Sequence, residues 1–327
     1  MNSVKVRAVN VCSEVIGSAG RGGGIVLLIA MSPLMLIAAP QSPAEAPWQT
    51  AAGGKMAFEV ASVKLAQPGS FRSPSFPLDA GDAFAAMVDG RLGQPAGDRF
   101  SASMPLAVYI TFAYKLMLTQ DQIEFMLAHL PKWVSTDRFD IQARAAGNPT
   151  KDQMRLMMRS LLADRFKLAA HFETHQAPVL ALTLIRPGTL GPNLRPHAEG
   201  PACDAPSVFP PLCNVYMMTG SSNGKRAGSR NTTIDLLASN LPGFAGAGND
   251  GRLDRPVVDQ TGLSGRFDFT LEWMPESSGP QPPDANTDPQ GPTFLDALRE
   301  QLGLRLQSTA ARIQILVIDH IERPDPN

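Results

Sequence analysis

Acidic and basic residues cancel in this chain: 29 Lys and Arg stand against 30 Asp and Glu in 327 residues, for a net charge of −1. Phosphate backbones attract domains with a basic stripe or a strong positive excess, so nucleic acid is excluded as the expected partner. Cysteine is scarce, three in all, and Cys12 falls in the segment read below as an export signal. The other two cannot supply the four ligands of a structural zinc site by themselves. No Gly-x-Ser-x-Gly elbow, phosphate-binding loop or dinucleotide fingerprint occurs. The glycines of RGGGI lie in the N-terminal segment, and SSNGKRAGS lacks both the spacing and a preceding strand. No cofactor is therefore expected.

What the chain does have begins at its N-terminus. Lys5, Arg7 and Arg21 precede GIVLLIAMSPLMLIAA, an apolar run that suits a signal peptide and falls short of the roughly 20 residues of a membrane span. Residues 1–44 read as the signal, with the mature chain starting near Glu45, no membrane span in it, and a periplasmic or secreted destination. An uncleaved anchor is the alternative. Cys203 and Cys213 remain in PACDAPSVFPPLCN, a Pro-rich stretch that a disulfide would restrain in an exported protein. The 29 prolines and 28 glycines gather in such windows, among them SPSFPLDAGDAF (73–84) and PESSGPQPPDANTDPQGP (275–292), which read as solvated loops.

The remaining segments alternate between strand and helix periods and predict an α+β fold. FEVASVKLA (58–66) has the period of two of a half-buried strand, and DRFSASMPLAVYITFAYKL gives a strand followed by a helix. DRFDIQARA is a strand. In NPTKDQMRLMMRSLLADRF, Met154, Met157, Met158, Leu161 and Leu162 recur at three and four, and Thr150 with Gln153 makes a capping box. KLAAHFET and VLALTLIRPG close a first unit as two strand-like runs.

The order then returns. NTTIDLLASNL is a helix, GRFDFTLEW a strand, TFLDALREQLG a helix, and LRLQST with IQILVIDHIERP a closing pair of strands. Two related sheet-plus-helix units follow, at 55–190 and 230–324, joined by a Pro/Gly-rich linker over 191–229 that carries the cysteine pair; the pattern suggests an internal duplication. Arg-Phe-Asp is written in both, at 138–140 and 266–268. Alternation puts Phe139, Ile141, Phe267, Phe269 and Leu271 on the helix side, against Leu161 and Leu162 in one unit and Leu295 and Leu298 in the other. Arg138 with Asp140, and Arg266 with Asp268, then share the opposite face, as charges dressing an edge strand or as a twice-used ligand clamp.

FEVASVK, LLADRFKLAAHFETHQAPVLALTLIRPG, VVDQTGLSGRFDFTLEW and LREQLGLRLQSTAARIQILVIDHIERP together resemble a large family of exported proteins of unknown function from soil bacteria, abundant in acidobacteria. Related domains in that family occur fused behind membrane peptidase-like antibiotic-sensor modules. The resemblance implies an extracytoplasmic sensing or interaction role. Phe267 stands where the family usually has Tyr.

Two constellations could carry chemistry. HFETH puts His171, Glu173 and His175 on one face of a strand, where a metal could sit with one further ligand; a solvent-facing polar edge is the plainer reading. In VVDQTGLSGRFDF, Asp259 and Thr261, with Arg266 and Asp268 nearby, could form a ligand-binding corner or serve only as turn chemistry around Gly262 and Gly265. Three functions follow. The first is a non-catalytic exported protein that binds or senses an envelope or extracellular partner through sheet edges or Pro-rich loops. The second is a metal-dependent hydrolase using His171 and His175. The third is a periplasmic assembly domain similar to those at the N-termini of secretins and outer-membrane receptors.

Overall fold

The computed structural model describes residues 46–85, 87–88, 91–92, 97–203, 205, 207–221, 224–245, 253–274 and 291–324. The expected signal over 1–44, and most of the loop expected over 275–292, lie outside these residues. The first half runs α1 (Pro47–Ala51), β1 (Val60–Leu65), β2 (Met87–Val88), β3 (Arg91–Leu92), β4 (Arg99–Pro105), α2 (Leu106–Ala113), α3 (Gln120–Leu127), α4 (Trp133–Thr136), β5 (Arg138–Arg144), α5 (Lys151–Arg165) and β6 (Ala169–Leu184). The second runs β7 (Leu194–Pro196), β8 (Tyr216–Ser221), β9 (Gly224–Thr232), α6 (Ile234–Ala245), β10 (Val257–Asp259), β11 (Phe267–Trp273), α7 (Phe294–Leu302) and β12 (Leu304–His320). The fold class is α+β.

Each half contains a strand, a helix and a second strand that pairs antiparallel with the first: β4–α2–β5 and β9–α6–β11. The sheet orders are β1-β5-β4 and β7-β11-β9-β8. β5 and β11 are therefore interior strands, which corrects the edge-strand reading of the Arg-Phe-Asp charges. Their inward residues behave as alternation requires: Phe139, Ile141, Phe267, Phe269 and Leu271 are all buried. Phe139 and Ile141 join Leu161 and Leu162 in one core, and Phe267, Phe269 and Leu271 join Leu298 in the other. Leu295 does not; it is 49 % exposed. The buried positions of α7 are Phe294, Ala297, Leu298 and Leu302, and Leu295 lies one residue off that stripe.

The helices start and stop as their ends dictate. At α5, Thr150 Oγ1 accepts from the Gln153 amide and Gln153 Oε1 accepts from the Thr150 amide at 2.8 Å, a reciprocal cap. At α7, Thr293 caps through the Asp296 amide, and Gly303 ends the helix in the left-handed region with φ 70°. A side chain at Gly303 would place its Cβ 2.7 Å from the Gly191 nitrogen, so the close approach of the β6–β7 turn also demands glycine there.

β6 and β12 join the halves. Each was expected as two strands, yet each is continuous, and the two pair antiparallel along nearly their whole length. Pro178 lies between the two runs expected in β6. The Leu180 amide donates to Pro256 O beyond β6, so by alternation the even-numbered amides of β6 point away from β12, and the proline costs that ladder no bond. Phe172, Leu316 and Ile318 pack on the first core, while Leu180, Leu182, Leu304 and Leu306 pack on the second. One ribbon thus contributes an end to each core.

Two expected loops are ordered. Residues 216–221 and 224–232, the latter part of the composition-based linker and running into the second unit, are strands β8 and β9. In β9 small residues hid the pattern because the backbone lies close to its neighbours: a Cβ at Gly228 would stand 2.9 Å from Phe269 O and 3.0 Å from the Phe209 ring. Within 73–84, Phe76 is buried against Phe84, Phe100 and Phe112, and Arg155 donates to the carbonyls of Asp79 and Gly81.

Candidate functional site

The ribbon brings His171, Glu173 and His175 together, as their period of two requires, and adds Asp319 from β12. His171 Nδ1 lies 2.8 Å from Asp319 Oδ2 and its Nε2 lies 3.1 Å from Glu173 Oε1; His175 Nε2 lies 2.7 Å from Glu173 Oε2. Carboxylates accept only, so both His171 nitrogens donate. Asp319, and after it Glu173, holds the His171 pKa above its usual range, while His175 and then His171 hold Glu173 below its own. In this arrangement both His171 nitrogens point at carboxylate oxygens. The group is a solvent-exposed charge network as it stands.

Beside this network lies a cavity of about 210 Å³, its floor made by Ile313, Gln314, Ile315 and Leu316 of β12. Leu118, Thr119 and the α3 side chains Gln122, Phe125 and Met126 face them. Ile313 is opposite His175 in the ladder and Ile315 opposite Glu173. Phe125 is 59 % exposed, a large ring left at the rim. β12 pairs with β6 on one side, and among the described residues no strand pairs with its other side. By the same alternation that orients β6, the outward amides are those of the even-numbered residues, among them Ser308, Ala310 and Arg312.

The second constellation resolves into two parts. Thr261 N and Oγ1 both donate to Asp259 Oδ1 at 2.8 Å, and the Leu263 amide donates to Thr261 Oγ1. Gly262 and Gly265 carry φ of 72° and 100°. The two polar side chains are spent on the turn. Arg266 reaches Asn231 O and Asp82, not Asp268.

Asp268 is the surprise, because it is buried instead of dressing a surface. Its side chain is 5 % exposed, with Oδ1 2.6 Å from His197 Nδ1 and accepting from the Asn231 amide at 3.0 Å. Arg230, buried as well, brings its Nε to 3.8 Å from Asp268 Oδ2 and donates to the carbonyls of Pro201 and Ala202. A bulge creates this: Thr232 is opposite Phe267 and Ser229 opposite Phe269, so Arg230 and Asn231 both face Asp268. Asn231 takes φ 61°. His197 follows β7, and its Nε2 lies 3.8 Å from Sγ of Cys203, which is disulfide-bonded to Cys213. Among the described residues, these three are the His, Cys, Asp and Glu group whose ligand atoms lie within 4.8 Å of one another. His197, Arg230 and Asn231 escaped the sequence reading. No local signal marked them, because the extra residue in β9 shows only in its register against β11.

At the N-terminus of α5, Lys151 Nζ contacts Asp79 Oδ1 at 2.7 Å and Lys115 Nζ contacts Asp152 at 3.0 Å. Burial pulls the Lys151 ammonium down to about 8, against the opposing attraction of Asp79. No described helix is long and apolar enough to cross a membrane.

A family model described as a protein of unknown function, DUF3738, matches residues 107–321. No curated protein and no solved structure matches the chain.

Proposed function

Because the chain belongs to the DUF3738 family, proteins of unknown function, its role has to be read from its own geometry, and we propose that it is an exported, non-catalytic protein that binds an extended segment of an envelope or extracellular protein along β12. The carrying observation is the open edge of that strand. β12 has 17 residues, with no proline and no lysine in LRLQSTAARIQILVIDH. Soluble proteins blunt edges of this kind with proline, lysine or a covering element, as Pro178 and β10 do on the outer side of β6. An edge free of proline and of a paired strand supplies main-chain hydrogen bonds to an added strand, and a neighbouring pocket supplies side-chain selection.

The cavity volume discriminates among occupants. About 210 Å³ is below the roughly 300 to 1,000 Å³ that encloses a drug-sized molecule, and it suits an apolar side chain projecting from a bound segment. Export is supported by the basic-then-apolar N-terminus and by the disulfide, which persists in oxidising compartments. In the same reading the two halves stem from one duplicated strand–helix–strand unit, supported by the matched pairing of Met104 with Phe139 and of Thr232 with Phe267.

Selection of a phage-displayed random peptide library on the purified protein tests the binding role. Peptides of alternating apolar residues should be enriched, and their binding should fall at least tenfold in Ile315→Asp, at the pocket, and in Ala310→Pro, which removes an outward amide. Thermal melts establish that each variant is folded. No enrichment, or enriched peptides indifferent to both changes, would overturn the reading.

A further inference from the structure

Outside the ribbon, among the described residues, one cluster has the layout of a reaction centre. Cys203 is exposed, whereas Cys213 is 4 % exposed. His197 stands between solvent and protein with one ring nitrogen toward each partner: Nδ1 is 2.6 Å from the buried Asp268 carboxylate and Nε2 is 3.8 Å from Cys203 Sγ. A carboxylate only accepts, so in the neutral imidazole Nδ1 carries the proton and Nε2 turns its lone pair to the sulfur. Asp268 is fixed in turn by the Asn231 amide, and Arg230 ties down the carbonyls of Pro201 and Ala202, just before Cys203. A purely structural bridge needs none of this.

We propose that Cys203–Cys213 is an exchange-active disulfide that oxidises dithiols, with Cys203 as the attacked sulfur, His197 as its acid–base partner and Asp268 as the positioning residue. A substrate thiolate attacks the exposed Cys203 Sγ; the Cys203–Cys213 bond breaks as the mixed disulfide forms, and Cys213 leaves as a thiolate that takes up a proton. The second substrate thiol gives its proton to His197 Nε2 and attacks the substrate sulfur of the mixed disulfide. The mixed bond breaks, the substrate leaves as a disulfide, and Cys203 is released as a thiolate beside His197, which can return a proton to it. Two electrons and two protons pass from the substrate dithiol to the protein. Thiolate, not thiol, is the reacting form in each transfer.

Dithiothreitol is a sufficient probe. It should reduce the native protein's disulfide without denaturant. In the reduced protein, iodoacetamide should modify Cys203 with a pH midpoint below the ordinary thiol value of about 8.5, while Cys213 stays unmodified until the protein is unfolded. Among the described residues, the ionisable groups that face this sulfur are His197, Cys213 and, behind the imidazole, Asp268 and Arg230. His197→Gln, in protein that its melt shows to be folded, should return the Cys203 midpoint to the ordinary value and slow reduction by dithiothreitol at least tenfold at pH 7. A disulfide that resists dithiothreitol until the protein unfolds, or a Cys203 midpoint near 8.5 in the wild type, would overturn the proposal. Both readouts are made on the wild type and hold even where a variant misfolds.

Discussion

Asp140 and Asp268 follow the same Arg-Phe in interior strands of the two halves, yet one is half-buried, its side chain without a hydrogen bond or ion pair to the described residues, and the other is buried against a histidine. The ladder around Asp140 is regular, with Ser103 opposite it on β4 and Lys64 opposite it on β1. Opposite Asp268, β9 carries one residue more, and the bulge turns Arg230 and Asn231 onto the carboxylate. Local sequence fixed which face the aspartates take. The neighbouring strand decided whether that face saw water.

The comparison can be sharpened first where the halves should agree. Phe139→Ala and Phe267→Ala should each cost about 3 to 5 kcal/mol, the range for truncating a buried aromatic, as read from urea unfolding. A loss under about 1 kcal/mol at either site would break the equivalence of the two cores. The aspartates should then disagree. Asp268→Ala should cost about 3 kcal/mol, because it strands buried polar groups, whereas Asp140→Ala should cost less than about 1 kcal/mol. Equal losses would mean that the bulge does not matter.

Smaller effects sit on the facing strands. Asn231→Ala should lose about 1 to 2 kcal/mol, since its φ of 61° is unfavourable for alanine. Ser103→Ala should be neutral or stabilising, because the Ser103 hydroxyl is buried without a partner. Chemical denaturation of both single variants decides this pair. The helix starts differ too: the first residue of α5 is Lys151 and that of α7 is Phe294, both buried. Folding lowers the Lys151 pKa to about 8 from its ordinary 10.5, so between those pH values the unfolded chain binds more protons and stability rises with pH. Lys151→Met should remove that rise and leave stability at pH 7 unchanged or increased. Melting temperatures from pH 7 to pH 10.5 would show it, and a wild-type curve that falls across the window would contradict the sign.

Much of this was legible in the sequence because it is local. The capping box at Thr150, the methionine stripe of α5 and the inward set from Phe139 to Leu271 depend on spacing alone. The His171–Glu173–His175 row follows from the period of two, but its Asp319 comes from a strand about 150 residues on. What stayed hidden was set by long-range contact. Small residues in β9 carry no apolar alternation, and at Gly228 main chain and a ring press on the strand. Asp268 looks like Asp140 until the extra residue in β9 is seen. The join of KLAAHFET and VLALTLIRPG into one strand shows only once the side that the missing amide of Pro178 faces is known.

The open edge of β12 is the feature on which the functional account stands, and amide hydrogen exchange followed residue by residue by NMR tests it most directly. In the free protein the outward amides of Ser308, Ala310 and Arg312 should exchange much faster than the inward amides of Gln307, Thr309 and Ala311, and a peptide selected on the protein should slow the outward set at least tenfold while leaving the inward set unchanged. Outward amides already protected in the free protein, or untouched by a bound peptide, would contradict strand addition at this edge.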